Sequence, residues 1–457
     1  MARATPIDQE SPFSLDELFF SRTDTRGIII SGNEVFVRVS KHPRTTLIGS
    51  PHNIIRHPDM PKAVFFLLWK TIQAGRPLCA YVKNMAADGS FYWVFASIFP
   101  IEEGYLSIRI KQSTTLFEKI PPLYKQMLDK ERSGGVDAGV KFLGETLTTL
   151  GFKDYEAFSK AALLAEVYSH SSQTTFNFSA PSVKGDGQNQ EVSQLTQSLQ
   201  QCQECVKENL RALQNLQSLS KTNQVAAEKS AFIGGILKSL DLLTVNMTTA
   251  AKRIGAAGLT LVAVADAIQK SAAEFKADLS NFKQSTEQVQ SLIASSEFRI
   301  AAIQIQVEMV AFYLRESLSK LGEGQTSSPE EIEDRRQNLV LLLQVSSEYV
   351  THMTEETGNL QKLLTRLNSD VDSLRATVNS FELIRKAGTI EAAQLQDGGL
   401  EFKTHFSDID ALVKNTASQL AAFSESLNQS LYAVSQIIPA TRNVNHALFR
   451  ARKLMNA

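Results

Sequence analysis

Between Val192 and Ile438 the chain contains a single proline, Pro329, and over that length apolar residues recur at steps of three and four. Val192, Leu195, Leu199, Cys202, Val206, Leu210 and Leu213 carry the pattern most clearly, as the seam of a helix that packs against other helices. Proline removes a helical hydrogen bond and clashes with the preceding turn, so its scarcity among Gln, Ser, Leu and Ala implies long helices. One helical tract runs to Gly255 and a second from Gly258 to Leu321, stopped by Gly322 and Gly324. Ser328-Pro329-Glu330-Glu331 restarts a helix: Ser328 caps it, Pro329 fits the first turn, and Glu331 can bond back to the cap. That helix extends to about Ala387, and a last one occupies Glu401 to Lys453. Helices this long cannot bury their seams alone and must pair within the chain or between chains.

The composition changes near residue 180, before which lie both tryptophans and most of the aromatic residues, and the first 115 residues read as mixed α/β. Gly27-Ile28-Ile29-Ile30 is a short apolar run between turn formers. Leu78 to Met85 and Phe91 to Ile101 flank Asp88-Gly89, a hairpin signal, and Tyr105 to Ile110 follows Gly104 as a third strand. Met60 to Gly75 has helical spacing, with Val64, Leu67, Leu68 and Ile72 on one side. Val35 to Ser40, taken alone, reads as a strand. Ser113 to Ser169 is helical, with loops at Ser133-Gly134-Gly135 and Gly151-Phe152, and Ser171 to Gln190 is a linker. The 457 residues allow two or three domains. The divisions expected are an extension (1–14), a sensor domain (15–112), a helical connector (113–170), a linker (171–190) and helical hairpins over 191–321 and 328–457.

Forty-seven basic against 48 acidic residues leave no electrostatic footprint for nucleic acid. Three cysteines, Cys79, Cys202 and Cys205, cannot form an extracellular disulfide framework and suit a reducing compartment. No apolar run approaches the ~20 residues of a membrane span. The N-terminus lacks the apolar segment of a secretory signal, so the expected location is the cytoplasm. Cys202-Gln203-Glu204-Cys205 lies inside the helical seam with no second pair to complete a metal site, and His352, His405 and His446 stand singly on helices. No nucleophile, phosphate loop or acid/base pair stands out, so a non-enzymatic role is expected and no catalytic or metal residue is assigned.

Ser31-Gly32-Asn33, the stretch Ser50 to Ala63 containing Arg56-His57-Pro58-Asp59-Met60-Pro61-Lys62-Ala63, Tyr81-Val82-Lys83-Asn84 and Tyr92-Trp93-Val94 resemble the PAS domain of bacterial aerotaxis receptors over about residues 15 to 112. The resemblance implies an α+β PAS fold, an antiparallel sheet with flanking helices, in which Val35 to Ser40 becomes the first helix. It also implies an FAD cofactor whose redox state reports oxygen and electron transport. Carried over residue by residue, Asn33, Arg56, His57, Asp59, Phe65 and Asn84 become the flavin-site candidates, while Leu78 stands where the family has a tryptophan. Haem, held through His57, and a cofactor-free PAS acting in dimerisation are the alternatives. Read without the resemblance, Arg56 to Asp59 caps and pins the helix that follows.

Leu242 to Asn246, Ala251-Lys252-Arg253-Ile254-Gly255-Ala256-Ala257-Gly258 and Val264 to Ile268 are similar to the hairpin tip of methyl-accepting chemotaxis proteins. The template repeats at Ile390 to Gln394, Gly399 to Phe402 and Ser407 to Ile409, displaced by 390 − 249 = 141 residues. This resemblance implies antiparallel helical hairpins forming a coiled-coil bundle. Asn246, Arg253, Glu391 and Phe402 become partner-binding candidates, with chemotaxis proteins, receptor arrays and a second copy of the chain as partners. Ala250, Ala256 and Ala267 replace the family's glutamates in the first segment and Gln394 its arginine in the second, so control of a chemotaxis kinase by this chain alone is not expected. The expected whole is a cytoplasmic sensory transducer.

Overall fold

The computed structural model describes residues 4–173, 179–181, 190–322, 328–395 and 399–456. Five antiparallel strands form one sheet: β1 (Phe19–Thr23), β2 (Ile29–Gly32), β3 (Leu78–Met85), β4 (Phe91–Ile101) and β5 (Gly104–Ile110), in the order β2-β1-β5-β4-β3. The β3–β4 register, Leu78 opposite Ile98 through Met85 opposite Phe91, puts the hairpin turn at Asp88-Gly89. There the Asp88 carboxylate accepts from the Ser90 amide and hydroxyl at 3.0 and 2.6 Å. Strand β1 is not evident from the sequence. It lies between β2 and β5, and four of its five residues are buried, so the alternation that marks a half-exposed strand is absent.

Flanking the sheet are α1 (Glu34–Ser40), α2 (Arg44–Leu47) and α3 (Lys62–Gln73). The strand suggested by the alternation of Val35 to Ser40 is instead helix α1, which buries Val35, Phe36, Val39 and Ser40, as the family resemblance implies. Helices α4 (Ile120–Thr149) and α5 (Tyr155–Gln173) follow. The loop expected at Ser133 to Gly135 is a break within α4 at Gly135, whose φ of 72° few side chains would tolerate. Both helices pack on β3: the Tyr124 hydroxyl donates to the Tyr81 carbonyl (2.8 Å) and the Ser159 hydroxyl accepts from the Cys79 amide (2.7 Å).

Four long helices complete the chain: α6 (Gln190–Arg253), α7 (Leu259–Gly322), α8 (Pro329–Ala393) and α9 (Gly399–Asn456). The capping box of α8 forms as the sequence predicts, the Ser328 amide donating to Glu331 (3.1 Å) and the Glu331 amide donating to the Ser328 hydroxyl (3.2 Å). Among the described residues no helix is long and apolar enough to cross a membrane.

The chain divides into two compact units, and the long helices contribute to both. The first unit comprises Met1–Arg211, Glu297–Met353 and Ala440–Ala457. In it the sheet packs on α7 and α8 through Phe20 against Tyr313 and Phe99 against Tyr349, both edge-on. Residues 300–311 of α7 are buried on every side. Gln304 within that stretch is bridged, accepting from the Asn209 amide, which also donates to the Ile300 carbonyl, and donating to Glu308, whereas the buried Gln306 amide has no partner among the described residues.

The second unit, Ala212–Ser296 with Thr354–Pro439, is a bundle of two antiparallel hairpins. One small cavity touches all four helices, through Ile236 and Leu240, Phe275, Val378 and Phe381, and Val413 and Thr416. Phe275 meets Phe381 at 6.1 Å and Phe282 meets Phe423 edge-on at 4.7 Å. The apolar seams of these four helices therefore face one another. The first hairpin turns through a 3₁₀ segment, Gly255–Gly258, where a Cβ on Gly258 would lie 2.1 Å from the Ala251 carbonyl oxygen. Only glycine allows the two helices to meet so closely.

A candidate ligand cavity in the sensor domain

Side chains alternate across a strand, so Ser21 and Thr23 of β1, Tyr105, Ser107 and Arg109 of β5, Ala96 and Ile98 of β4, and Val82 and Asn84 of β3 all reach one face of the sheet. Helix α3 crosses that face with Phe65, Phe66, Leu68, Trp69 and Ile72, and the segment Pro51 to Arg56 closes a side. They enclose a cavity of about 480 Å³, to which Val136 of α4 also contributes. Ligand sites commonly occupy ~300–1,000 Å³ with mostly apolar walls and a few fixed polar groups, and this cavity has that character.

The polar groups are unevenly matched. Arg109 is 3% exposed, and its guanidinium donates to the Ser21 hydroxyl (3.0 Å) and to Nε2 of His52 (2.7 Å). Among the described residues no carboxylate pairs with it. Burial lowers the Arg109 pKa to about 10, which still leaves the group charged at neutral pH. An arginine can only donate, so Nε2 of His52 accepts and the ring proton lies on Nδ1. The His52 ring keeps some accessible surface at the cavity wall. Protein nevertheless encloses it closely enough that burial, with the Arg109 charge beside it, pushes its pKa down to about 3. Nδ2 of Asn84 and Oγ of Ser107, both buried and both on residues lining the cavity, lack hydrogen-bond partners. A buried cation without its anion and two unmatched polar atoms are costly unless something completes them. The wall fits a ligand edge rich in acceptors.

Of the six residues the family resemblance singles out, Arg56, Phe65 and Asn84 line this cavity. The Arg56 guanidinium lies 4.0 Å from the centre of the Phe65 ring and donates to the Met60 carbonyl (3.0 Å). Asn33, His57 and Asp59 are not among the lining residues. The Asn33 amide ties β1 to α1, accepting from the Phe20 amide (3.2 Å) and donating to the Leu18 carbonyl (3.1 Å). Buried His57 accepts from the Asp59 amide at Nδ1 (3.1 Å). Asp59 stands just ahead of α3 and pairs with Lys83 at 2.8 Å. Burial alone would raise the Asp59 pKa, but the Lys83 ammonium outweighs it and holds the carboxyl low. Leu78, in the tryptophan position, is buried and does not line the cavity.

Sequence reasoning passed over Arg109, Ser107, Ser21 and His52. The signal for Arg109 was a lone charge on the alternating face of an otherwise apolar strand, Tyr105 to Ile110. For Ser107 it was the same face two residues earlier. His52 lay within the quoted family stretch but received no role.

The features singled out in the helices are dispersed. Asn246 and Arg253 are exposed at the first turn, Glu391 is half-buried at the second, and Phe402 is wholly buried. The Cys202 and Cys205 thiols are buried, which raises the pKa of Cys202 to about 12 and Cys205 well above its ordinary value, so neither is a reactive thiolate. His352 and His446 are exposed and His405 is half-buried.

This sheet, its crossing helix and the cavity between them define the class of the sensor region: residues 29–108 match the PAS fold family, and the chain carries a PAS domain. Over 124 residues, 26% of this chain, it is 39% identical to the aerotaxis receptor of Escherichia coli (strain K12). The match covers 24% of that receptor, so the chain spans about a quarter of the length of the curated relative it matches.

Proposed function

We propose that this protein is a non-enzymatic cytoplasmic sensory transducer of the aerotaxis type, whose PAS cavity binds a flavin, FAD, and whose helices carry the response to a protein partner. The observation that carries this reading is the polar wall of the cavity: among the described residues the Asn84 amide nitrogen and the Ser107 hydroxyl have no hydrogen-bond partner, and beside them Arg109 is a buried cation with no carboxylate. A flavin ring presents carbonyl and imine acceptors along one edge and a flat apolar body, which Phe65, Trp69 and Leu68 can cover. Bound there, the cofactor would supply reversible redox chemistry. The chain's own part is to anchor the ring edge, exclude water with the α3 aromatics, and keep a fixed positive charge beside it. His52 fixes the orientation of that charge by accepting from Arg109 without competing as a second cation.

Partners are sought among chemotaxis proteins and receptor arrays, through the turn that exposes Asn246 and Arg253. Because alanines replace the family's glutamates there, activation of a chemotaxis kinase by this chain alone is not expected in reconstitution. Protein purified from flavin-sufficient cells should absorb between 350 and 600 nm and release FAD on unfolding. Replacing Arg109 by leucine should weaken FAD binding at least tenfold, the loss expected from removing one charged hydrogen bond. A colourless protein whose addition leaves FAD fluorescence unchanged would refute the flavin reading.

A further inference from the structure

Backbone N–H groups at a helix start need acceptors, ordinarily supplied by the residue just before the helix. In the PAS domain neither α1 nor α3 is capped that way: no side-chain cap bond comes from Asn33, and Pro61 precedes α3. The acceptors come from the long helices instead. The Glu316 carboxylate of α7 accepts from the Glu34 amide (2.8 Å) with one oxygen and from the Asn33 side-chain amide (3.0 Å) with the other. The Glu131 carboxylate of α4 accepts from the Lys62 and Ala63 amides at 2.9 and 2.7 Å. Both helices bear on the cavity: α3 supplies its aromatic wall, and α1 is tied through Asn33 to β1, where Ser21 holds Arg109. The path from Arg109 to α7 thus runs Ser21, β1, Asn33, Glu316, each link a hydrogen bond or a covalent strand.

We propose that Glu316 and Glu131 are the transmission contacts of the sensor, reading the state of the cavity at the N-termini of α1 and α3 and passing it into α7 and α4. Neither residue lines the cavity, so each acts as a positioning residue and not as a ligand contact. A ligand that shifts β1 or α3 by a fraction of an ångström changes the length of these short, charge-assisted bonds and hence the hold on α7 and α4. Coupling of this kind is reciprocal: breaking the contact must alter ligand affinity by the factor with which the ligand alters the contact. The inference rests on the flavin reading for its ligand but not for its wiring.

The test uses the full chain and hydrogen exchange of peptides covering residues 309–322 and 120–133, neither of which holds a cavity-lining residue. Addition of FAD should change exchange in both segments of the native protein. Glu316→Gln should abolish the change at 309–322 while leaving that at 120–133, Glu131→Gln should do the reverse, and each should shift FAD affinity by about fivefold or more. Arg336→Ala, which removes an exposed pair with Glu333, serves as control and should leave both responses intact. If both segments still respond to FAD in the Glu131→Gln/Glu316→Gln double variant, the proposal is overturned. A second arm needs no ligand: Trp69→Ala, which opens the cavity wall on α3, should speed exchange at 120–133 only while Glu131 is present. Absence of FAD binding by the native protein would sink the flavin reading alone, and the Trp69→Ala arm would still decide the wiring.

Discussion

The two units differ in how far apart in sequence their buried hydrogen bonds reach, although Ser317 and Ser346 of the first also bond within their own helices. In the first, the bonds run between elements far apart in sequence: Asn33 to Glu316, Ser31 to Asn338, Asn209 to Gln304. Glu166 of α5, fully buried, accepts from the Tyr81 and Thr114 hydroxyls and from both the amide and hydroxyl of Ser113. In the second unit Thr244, Thr286, Thr416 and Ser430 donate to the carbonyl four residues back in their own helix. Crossing bonds there include Asn223 to Gln290, Ser285 to Asp370 and Ser295 to Glu356. A hydroxyl bonded within its own helix lets that helix shift against its neighbours without stranding a donor, whereas a bond between two elements holds both in place.

Substitutions can break or sharpen that contrast. The largest effect is expected from Glu166→Ala, which removes the acceptor shared by Tyr81, Thr114 and Ser113: about 3–5 kcal/mol of stability by urea unfolding, from buried donors left unsatisfied at about 1–3 kcal/mol each. Phe282→Ala should cost about 3–4 kcal/mol through lost packing with Phe423, in the lower part of the range for a buried phenylalanine. Protonation of His52 should matter less and only in acid. Its folded-state pKa, about 3, lies below the ordinary 6.5, so between those values the unfolded chain takes up a proton that the folded chain refuses. Stability is therefore fully present above pH 6.5 and falls, by at most about 1.4 kcal/mol per pH unit, as acidity increases towards pH 3. Unfolding of the native protein and His52→Asn compared at pH 7 and 5 should show the native losing more. The smallest effect is expected from Thr416→Val, below about 1 kcal/mol, because its hydroxyl bonds only to its own helix. A loss there as large as that at Glu166 would erase the distinction between the units.

How much of this could be read from the sequence follows the same divide. Helix seams and the Ser328 capping box are local patterns, and both appear where the spacing puts them. The β3–β4 hairpin was legible because Asp88-Gly89 encodes its own turn. Strand β1 was not, because a strand enclosed by neighbours and covered on both faces loses its period. Of the cavity, the family motif pointed to Arg56, Phe65 and Asn84, whereas Arg109 reaches it from a strand noted only for its apolar residues. The clamps were the least visible, since Glu131 and Glu316 meet their partners across 68 and 282 residues and nothing local distinguishes them from any other helical glutamate.

The bundle of tandem hairpins has one more consequence. Where a four-helix end is built from two identical chains, each turn is a copy of the other and every partner finds two equivalent docking orientations. Here both hairpins belong to one polypeptide, with Arg253 at the first turn and Gln394 and Glu391 at the second. The two turns can therefore diverge independently, and a protein docking there, as proposed above, would meet different side chains at each and find one orientation where a twofold bundle offers two.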